Sequence, residues 1–370
     1  MRRSKILVVS TNRADWQHVV AMLNELSTEF DCTLVSIGNN AYVQDKDVIE
    51  WAILNKIEII RNLSSQPQEN ISEIVQQIPS TLALIDYKRI DFAIIFGDRF
   101  EMLMTALWLY QLNIPIAHVA GGETSLGSLD DKYRDLISQV AKFHFPLTEV
   151  ASNKLVSLGV SRSSIFRIGA PGLDLVADFN KKDFEDVLSK YGIEFKNYLL
   201  VTHHSPTGDE SEMEDLLNFY EKLIIALSSK YNLVITESNV ESLGQNLREI
   251  AKKISTCNHK HKFEYLGGFN GSDYAALLHG ASICLGNSSS GLYEAPLYGT
   301  PTINIGNRQL GRVHGPSVFN VPPDVIPVLD LVEKILRKDA RNIDYTNPYY
   351  LPNSSNKLAS CLKQLIITAG

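Results

Sequence analysis

Carboxylates that fall just after apolar runs are the first groups in this chain suited to chemistry. Asp98 follows the apolar stretch 91–96 and stands between Gly97 and Arg99. Glu123 follows a second such stretch, 115–119, and Asp130, Asp131 and Arg134 come shortly after it. Clustered like charges push one another's pKa values up, which suits proton transfer. Each group also has a plainer reading. Asp98 beside Arg99 is a helix cap or a catalytic group. Asp130 and Asp131 precede a helix expected over 133–141 and can be a capping run.

The second concentration is 286–312, GNSSSGLYEAPLYGTPTINIGNRQLGR. Its residue types read as strand, small-residue turn, helix, strand. Small residues such as Ser288, Ser289 and Gly291 at a helix N-terminus leave backbone N–H groups open to an anion, and the serines add hydroxyl donors. Glu294, within about the first two turns of that helix, can accept from the two hydroxyls of a ribose. Arg308, at the end of the next strand, offers a fork matched to phosphate. A bare SSSG is as well read as an ordinary N-cap before a core helix. With Glu294, Arg308 and Arg312 in register, the segment reads as phosphate or nucleotide binding.

Other candidates lie at strand ends. His203 and His204 follow a strand at 198–202, and no third ligand stands at metal spacing, so no metal site is expected. His204 can donate to a phosphate or act as a general acid. His259 and His261 fall in a lysine-rich turn and read as solvated, and His118 reads as a structural histidine. Arg13 sits in the turn after the first strand, where ligands bind in open α/β folds. On residue type alone it reads as a solvated turn arginine.

The elements that must position these groups alternate. Strands are expected at 5–10, 32–37, 57–61, 91–96, 115–119, 143–147 and 165–168, then at 198–202, 232–236, 263–266, 281–285 and 302–305. Helices are expected through about 26, and over 66–86, 103–112, 133–141, 149–158, 181–195, 215–228, 245–254, 272–280, 292–298, 330–337 and 356–366. Residues 38–55 read as a polar loop or helix. The pattern is that of doubly wound α/β layers, and 370 residues are enough for two domains. They are placed at 1–180, carrying the acid/base residues, and 181–350, carrying the nucleotide site, with 351–370 as a final helix. That helix has an apolar face of Leu358, Cys361, Leu362 and Leu365, suited to packing.

Bulk properties exclude several classes. The formal charge of −7, without a basic stripe, argues against nucleic acid. No apolar stretch is long enough to span a bilayer, and the basic N-terminus leads into a run too short for a signal sequence. Four scattered cysteines without a CxxC pair read as free thiols in a reducing cytoplasm. No GxGxxG follows the first strand, so no dinucleotide cofactor is expected.

GNSSSGLYEAP and GTPTINIGNRQLGR together resemble the bacterial nucleotide-sugar 2-epimerases, most of all the hydrolysing branch that feeds sialic and legionaminic acid synthesis. Residues 11–16, TNRADW, resemble that family's TGTRADYG opening; GDR at 97–99 and the DDxxR pattern at 130–134 match as well. The resemblance implies a type-B glycosyltransferase fold, two Rossmann-like domains with the C-terminal helix packing back on the first. It implies that Arg13, Ser288, Ser289, Gly291, Glu294 and Arg308 hold the nucleotide diphosphate. Asp98, Asp130 and His204, which aligns with the histidine of an HPVT-type segment, become the acid/base set. The implied reaction is elimination to a glycal and rehydration, which converts UDP-N-acetylglucosamine or a 2,4-diacetamido-trideoxy analogue to the free 2-epimer, with UDP ahead of GDP. No cofactor is implied, and relatives form homodimers or homotetramers. One departure stands out. The sialic branch has Glu before its GG pair, in HIEGG, and this chain has Ala120, which leaves two readings: that duty passes to Glu123 or Asp131, or the substrate differs. Arg134-Asp135 likewise replaces the usual RH. The competing readings are a non-hydrolysing epimerase, a glycosyltransferase on the same fold, and a nucleotide-sugar binding protein without turnover.

Overall fold

A computed structural model describes residues 3–11, 15–37, 46–61, 71–125, 129–177, 181–204, 210–236, 249, 262–266, 271–337 and 342–369. The chain divides into two compact units, Met1–Leu175 with Pro348–Gly370, and Val176–Asn347.

The first unit alternates β1 (Lys5–Ser10), α1 (Trp16–Glu29), β2 (Asp31–Ser36), α2 (Lys46–Leu54), β3 (Glu58–Arg61), α3 (Ile71–Leu82), β4 (Phe92–Phe96), α4 (Phe100–Gln111), β5 (Ile116–Val119), α5 (Asp130–Val140), β6 (Phe143–Phe145) and α6 (Glu149–Ser157). Its parallel sheet has the order β3-β2-β1-β4-β5-β6. Strands buried on both faces read as continuous apolar runs; every residue of β4 is buried. Leu7, Val9, Ala93 and Ile95 pack under Met102, Ala106 and Ile137. The strand order reverses between β1 and β4, where open α/β sheets bind ligands.

The second unit contains α7 (Lys181–Lys190), β7 (Leu199–Thr202), α8 (Glu210–Ser228), β8 (Leu233–Thr236), β9 (Phe263–Leu266), α9 (Gly271–Gly280), β10 (Ile283–Gly286), the single turn α10 (Ser290–Tyr293), β11 (Thr302–Ile305), β12 (Val318–Val321) and α11 (Val325–Arg337). Its parallel sheet runs β12-β11-β10-β7-β8-β9, with its reversal between β7 and β10. Alternate residues divide between two cores, as the period of a strand requires. Leu199, Val201, Ile283 and Leu285 face Tyr220, Leu223 and Val328. Leu200, Val234 and Cys284 face Phe184, Leu188 and Leu277.

After Asn347 the chain returns to the first unit as α12 (Ser354–Ala369), which packs on α1. Leu358 and Leu362 are fully buried there. Asp174 accepts from the Ser354 and Ser355 backbone N–H groups at 3.1 and 2.8 Å, capping the helix. Lys363 bonds Glu29 at 2.6 Å. The two doubly wound sheets are the architecture the residue pattern led to, and the returning helix is the one the family resemblance implied.

Several expected elements differ. Residues 165–168 form no strand but a single bridge, His144 to Ile165. They are held between a 3-10 turn at Arg162–Ser164 and Gly169, whose φ is +83°. The expected helix 292–298 is two pieces, because Pro296 has no N–H to continue the ladder; α10 gives way to a 3-10 turn, Ala295–Tyr298. β12 was not expected, since half-exposed Phe319 and exposed Asn320 dilute its apolar signal. α11 begins earlier than residue 330, because Asp324 accepts from Ile326 N–H at 3.1 Å and Pro327 is tolerated in a first turn. α7 stops at Lys190, where Gly192 with φ +68° ends the run. The expected helix 245–254, apart from residue 249, lies outside the described residues, as do Cys257, His259, His261 and Arg13. No helix among the described residues is long and apolar enough to cross a membrane.

Candidate active site

In the first unit the carboxylates gather at the carboxyl edges of β1, β4 and β5. Asp98 leaves β4 through Gly97, at φ +86°. Its carboxylate pairs with the Arg134 guanidinium, which is 6% exposed. The same guanidinium lies 3.6 Å from Asp131. Asp131 uses both oxygens on the Ser125 backbone N–H, at 2.8 and 2.9 Å. Asp130 and Asp131 occupy the first turn of α5, where a helix dipole favours negative charge. The capping and functional readings of this pair are thus compatible.

From β5 the chain turns through Ala120-Gly121-Gly122. Ala120 is in the left-handed region at φ +63°, and Gly122 is at +79°, where a Cβ would meet the Ala151 carbonyl. The turn delivers Glu123 inward. Its carboxylate takes the Thr148 hydroxyl at 3.1 Å. Burial raises its pKa, while Arg134, the Thr148 hydroxyl and the Leu147 and Thr148 backbone N–H groups pull the other way. His118 is structural: its ring nitrogens lie 2.9 Å from Ser138 Oγ and 2.8 Å from the Gly97 carbonyl oxygen.

Asp15 is a carboxylate that the residue pattern did not single out. It stands at the N-cap of α1, just past β1, yet its side chain makes no capping hydrogen bond. Thr11 Oγ1 lies 3.5 Å from it. Burial, reinforced by the charge of Asp98, pushes its carboxyl up to about 7, against a pull downward from Arg99. The only sequence signal was its place in TNRADW, one residue from Ala14 and two from Arg13.

In the second unit Asn287 is the hub. Its side chain accepts the His204 backbone N–H at 2.8 Å and donates to the His204 carbonyl at 2.8 Å. Its own carbonyl accepts from Arg308 Nη1 at 3.0 Å and Gln309 Nε2 at 2.7 Å. One asparagine therefore joins the edges of β7, β10 and β11. Gly286, at φ +137°, lets β10 pass over the Thr202 carbonyl, where any Cβ would collide. Gly291 packs on Thr302, 2.6 Å from where a Cβ would lie. Ser288 and Ser289 are half-buried at the start of α10. Ser290 is buried, with its hydroxyl 2.6 Å from Tyr274 and 2.9 Å from Ser288.

Burial lowers the His204 imidazole to about 4, and the nearby Arg308 adds to this, so the ring is neutral at pH 7. His203 points into the core, its Nδ1 bonded to the Tyr220 hydroxyl, and falls to about 3 by burial. Glu294 closes the turn after α10, and burial raises its carboxyl to about 7.

The described candidate residues thus fall into two groups. Asp98, Asp130, Asp131 and Glu123 gather in the first unit, and His204, Ser288, Ser289, Gly291, Glu294 and Arg308 in the second. Arg134, Asn287 and Asp15 are the positions that residue reading had not placed among the candidate site residues.

A family model described as UDP-N-acetylglucosamine 2-epimerase matches residues 22–363. Among curated relatives, "Polysialic acid biosynthesis protein P7" of Escherichia coli is 28% identical, over 98% of this chain and 94% of that one. "GDP/UDP-N,N'-diacetylbacillosamine 2-epimerase (hydrolyzing)" of Campylobacter jejuni is 29% identical, over 86% of this chain and 85% of that one. Among solved structures, the UDP-GlcNAc 2-epimerase of Neisseria meningitidis bound to UDP-GlcNAc superposes with a TM-score of 0.79. That match covers 97% of this chain and all of the other at 17% identity, a likeness of fold.

Proposed function

Because the chain belongs to the UDP-N-acetylglucosamine 2-epimerase family, we propose that it is a hydrolysing epimerase of a UDP-linked 2-acetamido sugar. The observation that carries this reading is that each unit gathers its polar motif residues at the reversal of its own strand order. In the first unit that set is Asp98 with Arg134, and in the second it is His204, Asn287, Ser288 and Arg308. The Campylobacter relative, described as hydrolysing, supports the choice of branch.

Each group has a role that follows from its chemistry. Arg308, Ser288, Ser289 and the backbone around Gly291 hold the diphosphate, with Arg13 added by its sequence motif. Glu294 takes the ribose hydroxyls. A neutral His204 hydrogen-bonds the leaving phosphate through its single N–H, since an imidazole titrating at about 4 is not the imidazolium acid at pH 7. One carboxylate of the first unit removes the C2 proton as the C1–O bond breaks and its electron pair leaves with the nucleoside diphosphate. The product is a glycal. The oxygen of water then bonds to C1 and a proton returns to C2 from the other face. Nucleotide sugar plus water becomes the free 2-epimer plus nucleoside diphosphate. Asp98 and Asp130 are assigned to this proton traffic, with Arg134 orienting Asp98. Glu123 and Asp131 are committed to Thr148 and Ser125, and their part is to hold the turn before α5 and α6.

The test is incubation with UDP-N-acetylglucosamine, and in parallel with its 2,4-diacetamido-trideoxy analogue, in deuterated water, followed by NMR. Free UDP with an epimerised sugar carrying deuterium at C2 is the expected outcome. Epimerised sugar still linked to UDP would replace the hydrolysing reading with the non-hydrolysing one. Ala120, where relatives of the sialic branch carry Glu, favours one further reading, binding without turnover; thermal stabilisation by both nucleotide sugars with no product would establish it.

A further inference from the structure

In the second unit the hydroxyl of Ser288 has its role fixed by its neighbours. The Ser290 hydroxyl donates to Ser288 Oγ at 2.9 Å, and the Ser290 backbone N–H donates to the same oxygen at a longer 3.4 Å. A hydroxyl has one hydrogen and two lone pairs. Both lone pairs of Ser288 are taken, and its hydrogen remains to be given. The Ser290 hydroxyl has spent its own hydrogen, so in its 2.6 Å contact with Tyr274 the tyrosine is the donor. Tyr274 stands on α9, outside the stretch 286–312. Its ring packs against the core of Leu188, Leu277 and Cys284, which fixes where the phenol reaches. One residue before Ser288, the Asn287 carbonyl holds Arg308 Nη1 at 3.0 Å, so the guanidinium is anchored on the peptide that links Asn287 to Ser288.

Resting on the nucleotide-binding reading above, we infer that Tyr274 is a positioning residue for the diphosphate, which acts through Ser290 to hold the Ser288 hydroxyl as a donor turned toward the anion. No proton changes owner; the chain sets only the direction in which each hydrogen points.

That direction is worth setting because a free hydroxyl rotates to suit whichever partner is at hand. Without the Tyr274 hydrogen the Ser288–Ser290 pair can run either way, and in one of the two the Ser288 hydrogen points inward at Ser290. With it, Ser290 receives from the tyrosine and gives to Ser288. Chained hydroxyls also polarise one another, which strengthens the outermost donor. Burial holds the Tyr274 phenol far above its ordinary pKa, so it keeps the proton that starts the chain.

The experiment titrates UDP and, separately, uridine into the wild type, Tyr274→Phe, Ser288→Ala and the variant with both exchanges, with Ser290→Ala as a second way to break the chain. Phe keeps the ring and its packing and removes only the hydroxyl. We expect Tyr274→Phe and Ser290→Ala each to weaken UDP about tenfold, within the range of a hydrogen bond to a charged group, and Ser288→Ala to weaken it at least as much. The double variant should bind UDP no worse than Ser288→Ala alone, because the tyrosine then has nothing left to orient. Uridine, which carries no phosphate, should bind every variant as it binds the wild type. UDP binding by Tyr274→Phe at wild-type strength, losses that multiply in the double variant, or an equal loss for uridine would each overturn the assignment while leaving the nucleotide reading in place. A wild type that binds no UDP would remove both.

Discussion

Glu294 illustrates how a single side chain's surroundings decide its use. Its burial near Tyr274, Cys284 and Tyr298 raises its carboxyl to about 7. Exchange for Gln keeps the shape and one acceptor. Glu294→Gln is expected to raise KM for the nucleotide sugar about tenfold, the worth of one charge-assisted hydrogen bond, with kcat nearly unchanged. Steady-state kinetics checks this; a collapse in kcat at constant KM would move Glu294 to the reacting carbons. Residues of this kind were legible because the stretch from Gly286 to Arg312 is contiguous and each type has an evident use. Asp15, Arg134 and Asn287 were not, because what they do depends on neighbours far away in sequence. Arg134 finds Asp98 across 36 positions, and Asn287 finds His204 across 83. A lone aspartate in a turn gives no hint that it will be buried beside Asp98.

At the scale of elements, strands buried on both faces were the easiest to read, since an unbroken run such as that of β4 admits few alternatives. Elements set by tertiary partners were harder. Residues 165–168 have a strand's composition and make one bridge, and β12 carries half a strand's apolar content yet pairs along its length with β11. The strand-to-turn junctions carry the sharpest constraint. Gly286→Ala is expected to cost more than about 4 kcal/mol, because a left-handed φ is combined with a collision against the Thr202 carbonyl. Gly299→Ala, at φ +69° in open space, should cost about 1–2 kcal/mol, the backbone penalty alone. Urea unfolding of the two variants measures the difference. Equal midpoints would mean that β10 can move off Thr202 freely.

At the scale of the whole molecule, protonation couples to folding through histidines buried in neutral form. His18, His118, His144, His203 and His204 are all lowered to between about 3 and 4, chiefly by burial. Between there and the unfolded value of about 6.5 the unfolded chain binds more protons than the native one, so this contribution is complete above 6.5 and is lost as pH falls. Asp15, Glu123 and Glu294 are raised and act in the opposite sense, favouring the fold as pH falls toward 4. The histidines outnumber them, so the melting temperature should drop between pH 6.5 and pH 4; a flat or rising profile would mean the imidazoles are solvated. The course of the chain has a consequence for biosynthesis. Residues up to Leu175 leave the ribosome first, but α1 receives its cover, α12, only after all of Val176–Asn347 has been made. The nascent first unit therefore waits with a bare apolar flank through the synthesis of its neighbour, and a message cut short near Asn347 would yield a product whose second unit is whole and whose first remains sticky, a natural client for chaperones.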